Sequence, residues 1–165
     1  MRKPFYKVET FSGPRSIGYL IRRLSNLLVP RVEALFVGED LSFSQWVVLV
    51  SLRDGLTATC AEIARHLNHD TGATTRMVDQ LERRGLVRRN RSTSDRRVIH
   101  LEVTPQGHAV ARAFSARIVD FWNVVLDDFA HEDAQRIIDL LTRLALRIEQ
   151  MPVGDATDEK AEDAP

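Results

Sequence analysis

The sequence predicts a mainly α-helical fold with a small β-hairpin wing, a winged helix-turn-helix joined to a helical dimerisation region. Three observations predict it. Apolar residues recur at three- and four-residue steps along most of the chain. That period gives way to short extended runs only around residues 86–103. Between those runs lies a polar, arginine-rich turn.

Taken in order, residues 14–36 carry Ile17, Leu20, Ile21, Leu24, Leu28, Val32 and Leu35 at helical spacing. Pro30 lies inside this pattern and predicts a kink or break near Val29. Ser42-Phe43-Ser44-Gln45 has the form of a capping box ahead of Trp46 to Val50, and Asp54-Gly55 stops that helix. Thr59-Cys60-Ala61-Glu62 is a second capping box, and the short helix behind it carries Cys60, Ile63, Ala64 and Leu67 on one face. After Asn68-His69-Asp70 a new helix begins near Thr71, striped by Thr74, Met77, Val78 and Leu81, and it stops at Gly85.

Leu86 to Arg89 reads as extended. Residues 98–103 alternate, with Ile99, Leu101 and Val103 expected on a buried face. Thr104-Pro105 is a helix start. The helix behind it is striped by Val110, Phe114, Ile118, Phe121 and Val125. A last helix runs from about Glu132, with Ala134, Ile137, Ile138, Leu141, Leu144, Ala145 and Ile148 in its stripe. Residues 153–165 hold five acids and one lysine, the composition of a disordered acidic tail. The expected domains are therefore 42–104, the winged unit, 14–41 with 105–150, the dimerisation region, and 151–165, the disordered acidic tail.

Composition narrows the function. No apolar run is long enough to span a bilayer, and the first residues are not followed by a signal-like stretch, so a cytoplasmic protein is expected. One cysteine excludes an internal disulfide framework. Gly-rich phosphate loops, G-x-S-x-G and H-E-x-x-H are all absent, so neither an enzyme nor a cofactor is expected. The net charge of zero conceals a division: residues 1–104 hold 17 basic and 11 acidic residues, and residues 105–165 hold 6 and 12. Within 83–97 stand seven arginines (Arg83, Arg84, Arg88, Arg89, Arg91, Arg96 and Arg97) against Asp95. Double-stranded DNA would meet that local charge.

The second helix of a helix-turn-helix enters the major groove. With its apolar stripe turned inward, Thr71, Gly72, Thr75 and Arg76 face out from the first turns. Gly72 permits close backbone approach. Thr75 suits a base or a thymine methyl, and Arg76 suits guanine or a phosphate. Arg91, Arg96 and Arg97 at the wing suit a narrow minor groove. Asp95 is expected to orient Arg97 through a charge-assisted bond.

Two other readings compete. A redox or metal-responsive regulator would use Cys60 with His66 and His69, but Cys60 shares an apolar stripe and no closed ligand set is evident. A winged module that binds only protein has no need of so many arginines at its wing.

Leu81-Glu82-Arg83-Arg84-Gly85-Leu86-Val87-Arg88-Arg89, then Asp95-Arg96-Arg97, then Leu101-Glu102-Val103-Thr104-Pro105-Gln106-Gly107 resembles the signature of MarR-type (multiple antibiotic resistance) regulators. Gln45-Trp46 and Thr75 to Asp79 fit the same pattern. The resemblance covers about residues 15–150. It implies an obligate homodimer whose first and last two helices interlock, gripping a pseudo-palindromic operator with recognition helices ~34–36 Å apart. It also implies repression relieved by a small aromatic or phenolic anion. Arg22, Arg23 and Trp46 could line the pocket for such a ligand, although the favoured reading keeps Trp46 in the core and both arginines on the surface.

Overall fold

The computed structural model describes residues 4–91 and 98–152. Short 3-10 turns at Val8–Thr10 and Gly13–Arg15 lead into helix α1, Ile17–Ala34. The Ser16 hydroxyl begins α1 by accepting from the Tyr19 amide, and the Tyr6 hydroxyl accepts from the Ile17 amide. The break expected near Val29 is not found, because α1 is continuous through Pro30. Proline removes one donor and crowds the preceding turn. Here it sits one turn from the helix end, and the Arg31 guanidinium donates to the Leu27 carbonyl at 2.6 Å.

Both capping boxes form. Ser42 and Gln45 exchange side-chain and backbone bonds at the start of α2, Phe43–Arg53, and Thr59 and Glu62 do the same at the start of α3, Cys60–Leu67. Asn68 adopts a left-handed conformation and ends α3, and Asp70 caps α4, Thr71–Arg83. Gly85 then turns the chain at a φ of +68° into strand β1, Val87–Arg91. Strand β2, Ile99–Val103, pairs antiparallel with β1, setting Arg88 opposite Glu102 and Arg89 opposite Leu101. Leu101 also donates its amide to the Ala58 carbonyl at 2.8 Å, which ties the hairpin to the loop before α3. Leu101 is buried, but Ile99 is exposed, against expectation. It pairs with Arg91 at the far end of the hairpin, beyond the reach of the core.

The chain divides into two compact units, up to Phe121 and from Trp122 onward, with α5, Pro105–Val125, running across the division. In the first unit Val48 and Leu49 of α2, Ile63 of α3, and Val78 and Leu81 of α4 bury together with Leu86, Val87 and Leu101 of the hairpin. Phe36 stacks on Phe114 of α5 at a 4.9 Å centroid separation. Arg117 lies over Phe114 and pairs with Glu39 at 2.8 Å, which holds the segment after α1. The second unit contains α6, His131–Glu149, none of whose residues is buried; Ile138, Leu141 and Ile148 stand at least half exposed. Among the described residues no helix is long and apolar enough to cross a membrane. Of the expected acidic tail, residues 153–165 lie outside the described residues.

Gly107 lets α5 touch the hairpin root. A Cβ there would lie 2.0 Å from the Leu86 carbonyl oxygen and 2.8 Å from Val103. Thr104 fixes the same junction, donating from its hydroxyl to the Gly85 carbonyl at 2.6 Å and accepting from the Gly107 amide at 3.0 Å. Gly107→Ala should therefore lower the stability by about 1–3 kcal/mol through overpacking. Urea unfolding checks this, and an unchanged midpoint would contradict it.

Candidate nucleic-acid interface

The rotation of α4 follows from its buried side. Thr74, Val78 and Leu81 have no accessible surface, and the Thr74 hydroxyl is satisfied by the Asp70 carbonyl at 3.0 Å. Thr71, Gly72, Thr75 and Arg76 are then all exposed, as that stripe requires. The Asp70 carboxylate accepts from the Ala73 amide at 2.9 Å. A Cβ at Gly72 would crowd that carboxylate at 3.1 Å, and it would lie 3.6 Å from the Arg76 guanidinium. Glycine thus leaves the cap undisturbed and the first turn open. The Thr75 hydroxyl donates to the Thr71 carbonyl at 2.9 Å, so the group offers outward its methyl and its acceptor lone pairs.

The arginines before and along β1 divide by partner, a division the sequence alone did not reveal. Arg83 donates to the Asp79 carbonyl on its own helix at 3.3 Å, and Arg84 donates to the Asp40 carbonyl. Arg88 holds Glu102 across the ladder at 2.8 and 2.5 Å. Arg89 reaches back to α4, contacting Asp79 at 2.6 Å with one terminal nitrogen and Glu82 with the other. Its own amide donates to Glu82 at 3.3 Å. Arg91 is exposed and makes no ion pair with a described residue. Asp95, Arg96 and Arg97 lie outside the described residues.

These pairs change the charge a polyanion meets. Glu102 holds its proton less tightly than an ordinary glutamate, because Arg88 and then Asn90 hydrogen-bond its carboxylate. Burial works against the Arg89 charge, yet the bond to Asp79 and the charge of Glu82 outweigh it and raise its pKa above the usual arginine value.

The remaining candidates separate. Trp46 is half-buried beside Phe36 and Phe43, and its indole N–H donates to the Ala111 carbonyl at 3.2 Å. Arg22 and Arg23 are exposed on α1. His66 and His69 are exposed and Cys60 is half-buried; among the described residues no group of three His, Cys, Asp or Glu is arranged to hold a metal. Sequence reasoning missed one feature, an open groove of about 430 Å³ between the start of α3, α4 and the hairpin. Cys60, Thr75, Arg89 and Ile99 are among its lining residues. Only the hairpin register, which a long turn hides, brings them together.

Known proteins align with this arrangement. The MarR family model matches residues 41–99. The multiple antibiotic resistance protein MarR of Salmonella typhimurium is 34% identical over 89 residues, 54% of this chain and 56% of that protein, so the match spans about half the relative's length. An HTH-type transcriptional repressor of Mycobacterium tuberculosis is 31% identical over 100 residues, 61% of this chain and 72% of that protein. Among solved structures, the Staphylococcus aureus MepR–DNA complex superposes with a TM-score of 0.65 at 19% identity, covering 83% of this chain and 99% of that one. Bordetella bronchiseptica BpsR, described as regulated in DNA binding by 6-hydroxynicotinic acid, superposes with a TM-score of 0.68 at 20% identity, covering 82% and 96%. At these identities the structural likeness speaks for the fold.

The Arg88–Glu102 pair has a measurable signature. A carboxylate with a depressed pKa adds stability above its unfolded value, and this is lost as pH falls through the folded value. Carboxyl chemical shifts should place the Glu102 midpoint below that of an ordinary glutamate, and Arg88→Ala should move it up. A midpoint unmoved by Arg88→Ala would contradict the pairing.

Proposed function

The chain belongs to the MarR family, and on that premise we propose that it is a cytoplasmic, sequence-specific DNA-binding transcriptional regulator acting as a repressor. The observation that carries this reading is the exposed first-turn face of α4, with Thr71, Gly72, Thr75 and Arg76 open beside a basic hairpin. An α-helix presented this way fits the major groove. Thr75 and Arg76 then meet base edges or phosphates, while Arg91, Arg96 and Arg97 supply charge at the adjacent minor groove, with Asp95 orienting Arg97.

The working form is a homodimer on a pseudo-palindromic operator. Segments 14–41 and 105–150 form its dimerisation region. In support, α1 leaves Leu20, Ile21, Leu24 and Leu27 exposed and α6 leaves Ile138, Leu141 and Ile148 exposed. Full burial of an exposed side chain of this kind is worth about 1.5–3 kcal/mol, and these are already about half covered, so each gains roughly half of that and a second copy is a favourable cover.

Regulation by a small aromatic or phenolic anion completes the reading. The groove beside Thr75 and Arg89 is a better seat than Arg22 with Trp46, whose indole N–H already donates to Ala111. It brings the hydroxyl-bearing side chains of Thr59 and Thr75 together with the apolar Val98 and Ile99.

Fluorescence anisotropy on a duplex selected from a random pool tests the reading. Affinity should fall about a thousandfold as salt rises from 50 to 200 mM, as expected for a contact with several phosphates. Thr75→Ala should change the sequence recovered from the pool more than it changes binding to unrelated DNA. Added 6-hydroxynicotinate should weaken the complex. Weak retention of duplex DNA that ignores salt would contradict DNA binding itself.

A further inference from the structure

We propose that Arg89 is a positioning residue that sets operator specificity without touching DNA, by clamping the hairpin to α4 through Asp79 and Glu82. The inference rests on the DNA-binding reading above and assigns a role within it to an arginine that composition alone would count as a phosphate ligand.

The geometry separates Arg89 from its neighbours. The guanidinium fork divides between two carboxylates, Asp79 Oδ1 at 2.6 Å and Glu82 Oε2, which lie three residues apart on one face of α4. The Arg89 side chain is 25% exposed, whereas that of Arg88 next to it is 65% exposed. The alternation of the strand turns Arg88 toward Glu102 and Arg89 toward the helix. Glu82 also accepts the Arg89 backbone amide at 3.3 Å, so one carboxylate holds both the strand backbone and the side chain on it.

The position of the clamp gives it its consequence. Asp79 lies one turn after Thr75 on the helix that carries the candidate base contacts, and Arg91 follows Arg89 by two residues on the same strand face. The bond therefore fixes how far and at what angle the two DNA-contacting elements stand apart. Below the clamp, Leu81, Leu86 and Val87 pack apolar surface, which resists separation but sets orientation weakly. A planar two-nitrogen fork on two acceptors is directional, and lysine cannot reproduce it. The two carboxylates also offset the guanidinium charge, which makes Arg89 a poor phosphate ligand.

Positioning and phosphate contact make opposite forecasts. The test uses full-length Arg89→Lys, Arg89→Ala and the near-isosteric pair Asp79→Asn with Glu82→Gln. Anisotropy is measured on the duplex selected by the wild type and on an unrelated duplex of equal length, across a salt series. Positioning predicts that all three variants lose about tenfold on the selected duplex, lose none of their affinity for the unrelated duplex, and keep the wild-type log–log salt slope. The carboxylate pair is decisive, because removing two negative charges near DNA would otherwise tighten binding. If Arg89 instead bound a phosphate, Arg89→Ala would weaken both duplexes alike and reduce the slope by ~0.9, while Arg89→Lys would bind nearly as the wild type; this would overturn the proposal. Tighter or unchanged binding by the carboxylate pair would overturn it equally.

Amide hydrogen exchange on the free proteins keeps the test independent of DNA. The carboxylate pair should exchange faster in 87–91 and 99–103 and as before in α5, and unchanged hairpin exchange would overturn the clamp. Should the wild type itself fail to bind DNA, the functional reading falls, while the exchange result still decides the clamp.

Discussion

Burial of one side of α4 is the constraint on which the remaining structure depends. Thr74, Val78 and Leu81 lie wholly inside, and that fixes the rotation of the helix about its own axis. A turn of about 100° in either direction would bury Arg76 or expose Leu81, each at considerable cost. The exposed face is therefore set by the core and not by anything it binds. Asp70 supplies the start of the helix and Gly85 its end, so the same few residues settle its length and its direction.

Around that helix the hairpin and α5 are positioned by two different kinds of interaction. Apolar packing of Leu86, Val87 and Leu101 supplies adhesion. Polar ties then supply registration: Thr104 and Gly107 at the hairpin root, Arg89 along its inner face, and Gln45 bonded to Gln80 between α2 and α4 at 2.8 Å. The division is physically sensible. Hydrophobic burial is tolerant of small slips, whereas a hydrogen bond weakens within a few tenths of an ångström. Under the proposed function, an element that reads DNA geometry gains from the second kind near its working end.

Much of this was legible in the sequence, for local reasons. The capping boxes at Ser42 and Thr59 each lie within four residues, and so do the stop at Gly85 and the start at Thr104-Pro105. Helix spacing identified the buried stripe of α4 and hence the outward set Thr71, Gly72, Thr75 and Arg76. What was hidden depends on pairing across distance. The basic cluster looked uniform, yet Arg88 and Arg89 face opposite ways and meet Glu102, Asp79 and Glu82 only through the strand register. Ile99 looked like core by alternation, but the hairpin extends past the surface there. Pro30 pointed to a kink or break near Val29, but α1 runs through it for one more turn. The groove beside Thr75 combines residues from three elements and has no local signature.

In the proposed function, α4 and the hairpin act as one rigid reader, present twice in the working protein. Hydroxyl-radical footprinting of both strands of a selected duplex tests it most directly. Two protected half-sites with centres about 10–10.5 base pairs apart, or a multiple of this, are expected, each with protection in the neighbouring minor groove. A single protected patch, or half-sites whose flanking minor-groove sugars stay fully cleaved, would contradict it.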